Sequence, residues 1–200
     1  MHDHTPCRRS PARLRGTLAL ALLAAPAFAS AAAQAEVAAE QILTETNSNT
    51  HVGGWPVKRF AQVFELPEAG GISHVMLPAA CDPQATLRVT IERAPNGVPD
   101  GRVVAQQDVP GYVLDAVQVG AVVSSMRMVE FTRLALLKPG LYAFTLDTLG
   151  SGDCALWRAP PGTPYAYLAY SAAPSGKWQP LVDAIGRPQA LAFQVFYRPR

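Results

Sequence analysis

Apolar and polar residues alternate with a period of two along several short segments of the chain. The alternation is clearest over residues 87–91, 129–131, 142–146 and 191–197. This period is typical of β-strands that bury one face. Less regular apolar runs predict further strands at residues 60–66, 72–77, 102–107, 153–158, 165–170 and 177–180. About one strand in every 8–12 residues is the spacing of an all-β sandwich or barrel, so we predict an antiparallel β-sandwich.

Turn sequences separate the predicted strands. Residues 94–97 (APNG) and 98–101 (VPDG) are consecutive turn signals, and residues 138–140 (KPG) are another. The 18 prolines and 15 glycines of the chain also favour many turns and few long helices. We therefore predict one β-sandwich domain over residues 59–200. Residues 111–125 are apolar without a clear period, and either a strand pair or a long loop fits them.

The first 35 residues have the composition of a targeting segment. Four arginines lie within residues 1–15, an apolar run covers residues 17–25, and small A-x-A sequences follow at 27–29 and 33–35. This order is typical of a secretory signal peptide. The apolar run is shorter than the roughly 20 residues that span a bilayer. We predict cleavage after Ala29 or Ala35 and a periplasmic or secreted mature protein without a membrane span.

Residues 36–58 are predicted to be a polar lead-in to the sandwich. They are rich in Thr, Asn and Ser, whose side chains hydrogen-bond their own backbone in turns. Within this segment, residues 36–43 are the best candidate for a helix, although a short one.

Composition and charge narrow the classes of function. The chain has 200 residues, of which 49% are hydrophobic and 16% charged, and its formal net charge is +2. Removing residues 1–35 takes away four arginines and one aspartate, which leaves a slightly negative charge. No basic cluster remains beyond residue 15, so we expect no nucleic-acid partner.

Two cysteines remain after the predicted cleavage, Cys81 and Cys154. In an exported chain such a pair indicates one disulfide bond. Two separate buried thiols are the alternative. A zinc site that adds His51 and His74 has suitable ligand types but lacks the paired short spacings of structural zinc sites.

No catalytic motif is present in the sequence. The chain has no G-x-S-x-G, H-E-x-x-H, phosphate-binding loop or EF-hand spacing. A Ser-His-Asp triad in the mature chain would have to use His51 or His74. A pair of glycosidase carboxylates could come only from scattered residues, of which the candidates are Glu65, Glu68, Asp147 and Asp153. We therefore expect no enzyme activity and no cofactor.

A bound calcium ion is a further alternative. Its candidate ligands are Asp147, Asp153 and Asp183. Calcium takes six to eight oxygen ligands, and three scattered aspartates do not supply them. We therefore expect no metal site.

Aromatic residues are concentrated between positions 157 and 178. Trp157, Tyr165, Tyr167, Tyr170 and Trp178 all fall in this stretch. Flat aromatic rings beside polar groups are suited to sugar binding, so Trp157, Tyr165 and Tyr167 are predicted to form a ligand platform. The alternative is that these rings pack in the core.

The order of motifs from about residue 60 to residue 197 resembles a jelly-roll β-sandwich module of exported bacterial proteins. The matching sequences are AQVF (61–64), GISHVML (71–77), LKPGLYAFTL (137–146), Trp178 and LAFQV (191–195). Modules with this fold include carbohydrate-binding modules. The resemblance implies that the protein is a non-catalytic module for a glycan or another cell-envelope component. The alternatives are a structural or protein-interaction module and a small exported hydrolase.

Overall fold

Twelve β-strands and no α-helix make up the part of the chain that the structure describes. The structure is a computed structural model, and it describes residues 34–45, 49–54, 58–114, 125–162, 165, 167–171 and 177–200. The strands are β1 (Glu36–Gln41), β2 (Asn49–Gly53), β3 (Lys58–Leu66), β4 (Gly70–Cys81), β5 (Thr86–Arg93), β6 (Val103–Pro110), β7 (Met126–Glu130), β8 (Gly140–Leu149), β9 (Asp153–Trp157), β10 (Tyr167–Ser171), β11 (Gln179–Pro180) and β12 (Phe193–Pro199). Their pairings are all antiparallel, which confirms the predicted all-β class.

The strands form two sheets that share β4. The first sheet has the order β1-β12-β4-β7. In the second sheet, the last three residues of β4 pair with β9, and the order continues β9-β2-β3-β8-β5-β6. Strand β10 pairs with β3, and β11 pairs with β10. Buried side chains from both sheets form one hydrophobic cluster, which is the arrangement of a β-sandwich.

Alternation along the strands determines which side chains enter this core. In β5, Leu87, Val89 and Ile91 are fully buried on one face. In β8, Phe144 and Leu146 are fully buried, as the period of two predicts. The predicted turns between β5 and β6 contain Gly97 and Gly101, whose positive φ values of 71° and 77° suit a residue without a Cβ. The strand and turn predictions in this region are confirmed.

The helix predicted at residues 36–43 is wrong. Residues Glu36–Gln41 form β1, which pairs with β12 at the edge of the first sheet. Pairing with a distant strand overrides the helix propensity of a short Ala- and Glu-rich segment. Strand β2 pairs with β9, so the predicted lead-in contributes one strand to each sheet. Of residues 42–48 between these two strands, 46–48 lie outside the described part of the chain.

Two other predictions fall mostly on residues that the structure does not describe. The predicted signal peptide covers residues 1–35, of which residues 1–33 lie outside the described part. Of the apolar stretch 111–125, Gly111–Val113 form a short 3-10 turn, and residues 115–124 lie outside the description. Within the described residues, no helix is long and apolar enough to span a membrane. The signal peptide and the jelly-roll order stay predictions.

Cys81 and Cys154 are joined by a disulfide bond inside the core. They are register partners on the neighbouring strands β4 and β9, with their Cα atoms 4.0 Å apart. Cys81 is 3% exposed and Cys154 is fully buried. The bond links β9 to the strand that both sheets share.

Candidate ligand-binding face

The structure describes the side chains of two of the three predicted platform residues, Trp157 and Tyr165. Tyr165 is half-buried, and its ring meets the edge of the Phe193 ring at a centroid distance of 5.1 Å and an interplanar angle of 80°. Trp157 ends β9 as a half-buried residue, and no ring contact joins it to Tyr165 among the described residues. Tyr167 begins β10 opposite Gln62, and its side chain lies outside the description.

An open groove lies beside Tyr165. It has a volume of about 410 Å³ and is lined by Ala38, Ala39, Glu65, Pro67 and Tyr165. One side of the Tyr165 ring therefore borders solvent, whereas the ring edge contacts the buried Phe193. A ring in this position supports the core as well as a surface groove.

Four charged side chains lie side by side on the outer face of the second sheet, one on each of four neighbouring strands. The charged row consists of Asp108 on β6, Arg88 on β5, Asp147 on β8 and Arg59 on β3. Arg88 alternates with the buried core residues of β5, so it faces away from the core. The positions alternate in sign along the row, so each charge lies beside an opposite one.

Short ion pairs connect the charged row. Arg88 donates hydrogen bonds of 2.8 Å from Nε and from Nη2 to the two carboxylate oxygens of Asp108. Nε of Arg59 lies 3.2 Å from Oδ2 of Asp147. The hydrogen bonds from Arg88 hold the pKa of Asp108 below its usual value and raise the pKa of Arg88. Both groups are therefore charged at neutral pH, and the two-bond geometry restricts their rotation.

A buried carboxylate lies next to the charged row. Glu92 on β5 is 5% exposed. Its Oε1 accepts a 3.0 Å hydrogen bond from the Thr145 hydroxyl and lies 3.9 Å from Nη2 of Arg59, and its Oε2 accepts a 3.1 Å bond from the Gly101 N–H. Because a buried charge needs such partners, Glu92 fixes Arg59 and the β5–β6 turn in place.

Trp178 adds an aromatic ring to this face. The ring is half-buried and packs against a small cluster of buried residues on the outer side of the second sheet: Ala61, Val63, Ala94 and Ala143. The guanidinium carbon of Arg59 lies 5.8 Å from the centre of the Trp178 ring, a cation–π distance. Trp178 and the charged row together are called the ladder face below.

Sequence reasoning missed the ladder face. Trp178 is left out of the predicted platform because it matches the motif order of the sandwich module, and Arg59 is not among the candidate residues of the sequence. More than 100 residues separate these two side chains, and only the pairing of β3 with β8 and β10 brings them into one surface. No local sequence pattern indicates which of these distant strands pair.

The two candidate catalytic histidines have structural contacts. Nδ1 of His51 lies 3.1 Å from Oδ2 of Asp153, and both side chains are at least one-third exposed. Nδ1 of His74 lies 3.0 Å from the Ser73 hydroxyl, but Ser73 is 3% exposed and also donates a 3.2 Å hydrogen bond to the Phe196 carbonyl. Burial lowers the pKa of His74. A buried hydroxyl engaged with the backbone is poorly placed to attack a substrate.

The three aspartates considered as calcium ligands have separate cationic or histidine partners. Asp147 pairs with Arg59, Asp153 with His51, and Asp183 with Arg187. Among the described residues, no group of three or more His, Cys, Asp or Glu side chains is arranged to hold a metal ion. The structure therefore does not bring these aspartates together.

Comparisons with known proteins give no family for the chain. No protein-family model matches it, and no curated protein is significantly similar to it.

Proposed function

We propose that this protein is a non-catalytic binding module for a glycan or another component of the cell envelope, and that the ladder face is its contact surface. The observation that carries the proposal is the half-buried Trp178 ring beside Arg59 and the charged row. The resemblance of the sequence motifs to carbohydrate-binding sandwich modules agrees with this proposal.

A sugar offers two kinds of surface, and the ladder face has a group for each. The C–H face of a pyranose ring is apolar and packs on an indole ring such as that of Trp178. Sugar hydroxyls both donate and accept hydrogen bonds, which the carboxylate of Asp147 and the guanidinium of Arg59 can complement. A few fixed polar groups around an apolar surface are typical of small-molecule sites.

The ion pairs also reduce the cost of binding. Long side chains such as Arg59 and Arg88 normally lose rotational freedom when they contact a ligand, at about 0.5–1.5 kcal/mol each. In the ladder face this freedom is already restricted by Asp147, Glu92 and Asp108. The polar groups are therefore held in place before the ligand arrives.

A protein-interaction module without a small-molecule ligand is the second candidate. An open groove of about 630 Å³ at the start of β8 favours it. The groove contains Leu136 and Leu141, which are 59% and 41% exposed, together with Arg93 and Lys138. Exposed apolar side chains rimmed by charge are typical of protein-binding surfaces.

Replacing Trp178 with Ala is expected to weaken glycan binding by about 1–3 kcal/mol, because the stacking surface is lost. The parent is first screened on an array of bacterial envelope and plant polysaccharide fragments, and the best ligand is then titrated calorimetrically. Trp157→Ala is the matched control, and we expect it to bind like the parent. Equal losses in the two variants would contradict the ladder face as the binding surface.

We further propose that the protein is exported and that its N-terminal segment is removed by cleavage after Ala29 or Ala35. The basic and apolar regions of the N-terminus and the buried disulfide support an oxidising compartment. N-terminal sequencing of the exported protein is expected to begin at Ser30 or Glu36, either of which leaves β1 complete. An intact Met1 in the exported fraction would contradict this prediction.

A further inference from the structure

Three methionines lie on one face of the first sheet. The chain contains four methionines, and the three that follow Met1 are Met76 on β4 and Met126 and Met128 on β7. Their neighbours Val75, Leu77 and Val129 are buried in the core. Because strand side chains alternate, the methionines point to the opposite, outer face.

Strand register brings these thioethers close to a histidine. Met76 is the direct partner of Met128 across the β4–β7 ladder, and His74 is the partner of Glu130 on the same face. Directly opposed residues have Cβ atoms about 4.5–5.5 Å apart, and diagonal neighbours remain within reach of long side chains. Met76, Met128 and His74 are called the thioether cluster below.

The thioether cluster is accessible from solvent. Met128 is 58% exposed, and Met76 and His74 are half-buried. A methionine side chain has three rotatable bonds, so the sulfur atoms of Met76 and Met128 can approach one another without a change in the backbone.

The His74 ring is held in place by its neighbours. It stacks on Phe196 with a centroid distance of 4.2 Å and an interplanar angle of 15°. The Ser73 hydroxyl lies 3.0 Å from Nδ1, which leaves Nε2 as the nitrogen for an external ligand. A hydrogen bond to one ring nitrogen is the usual way in which a protein orients a metal-binding histidine.

We propose that Met76, Met128 and His74 bind a soft monovalent cation, Cu(I) or Ag(I). Thioether sulfur is a soft ligand that selects Cu(I) over hard cations, and imidazole is compatible with copper. Met126 supplies a further thioether two residues from Met128, and the Glu130 carboxylate opposite His74 offsets the positive charge of the ion. The site lies on the first sheet and is independent of the proposed glycan site on the second.

The test must exclude competing ligands at the N-terminus. His2, His4 and Cys7 could bind the same ions. All measurements therefore use the full chain with His2→Ala, His4→Ala and Cys7→Ser as the parent background. Cys81 and Cys154 do not compete while they are joined in the disulfide.

Titration with Ag(I), monitored by NMR of 13C-labelled methionine methyl groups, reports the site directly. We expect the signals of Met76 and Met128 to shift and to saturate at one equivalent of Ag(I). Competition with a chromophoric Cu(I) chelator then gives the affinity. Met76→Leu and Met128→Leu are each expected to lower it at least tenfold, and His74→Gln is expected to lower it as well.

His51→Gln is the matched control, because it removes a histidine from the second sheet, outside the thioether cluster. It is expected to leave the Cu(I) affinity unchanged. Unshifted methyl signals of Met76 and Met128, or equal affinities in the parent and the two leucine variants, would overturn the proposal. If this outer face of the first sheet served only to bind another protein, the parent and the two leucine variants would have equal Cu(I) affinities. Thermal melts of the surface variants are measured in parallel, and melting temperatures close to that of the parent are expected for a retained fold.

Discussion

Reduction of the Cys81–Cys154 disulfide is expected to lower the free energy of unfolding by about 4 kcal/mol. The bond closes a loop with a sequence separation of 73, and the chain-entropy model assigns a stabilisation of that size to it. Guanidinium unfolding of the oxidised and reduced proteins measures the difference. The reduced protein is expected to unfold at a clearly lower denaturant concentration.

Two controls make the disulfide result specific. Cys7→Ser removes the third cysteine, so that reduction affects only the core pair. The intact mass of this variant is expected to rise by about 2 Da on reduction, because a disulfide bond lacks two hydrogens. Full alkylation of Cys81 and Cys154 in the unfolded, unreduced protein would contradict the bond. Coincident unfolding curves would contradict its stabilising role.

Replacing Phe193 with Ala is expected to cost about 3–5 kcal/mol of stability, because a fully buried aromatic ring leaves a cavity. Phe193 has no exposed surface, and its ring meets Phe144 at 5.4 Å and Tyr165 at 5.1 Å in edge-on contacts. The measurement is the free energy of unfolding from guanidinium titration. Tyr165 should also lose part of its packing in this variant.

Phe196→Ala is the matched control for this core substitution. Phe196 is three residues further along β12, where its half-buried ring lies on the outer face against His74. Its loss is expected to cost about 1–2 kcal/mol, because the variant loses one stacking contact and only part of the ring surface was buried. Similar losses in the two variants would contradict the assignment of the two faces of β12.

Strands with strong alternation could be predicted from the sequence. The core face of β5 follows from Val89, whose neighbours Arg88 and Thr90 are polar. In β8 and β12 the buried Phe144 and Val195 belong to aromatic and aliphatic series with the same period of two. Strand β1 could not be predicted in this way. It is a strand because β12, more than 150 positions away, offers it a hydrogen-bonding edge, for example between Glu40 and Gln194.

The candidate site was less predictable than the fold. Crowding in the sequence predicts that Trp157, Tyr165 and Tyr167 form a platform, and that grouping stays a prediction. Closeness along the chain does not by itself determine which rings share a surface. Trp178 and Arg59 share one because β3 lies between β8 and β10 in the second sheet. Such a surface depends on the order of the strands in the sheet, which cannot be predicted from a single sequence.

The ladder face is tested most directly by the indole N–H signals of the three tryptophans, Trp55, Trp157 and Trp178. They give three separate peaks in a 15N–1H NMR spectrum, and Trp178→Phe identifies the peak of Trp178. On titration with the best ligand from the glycan array, we expect a saturable shift of the Trp178 peak, with little change in the Trp157 peak. A shift of the Trp157 peak with Trp178 unchanged, or no shift with any glycan, would contradict the ladder face as a glycan-binding surface.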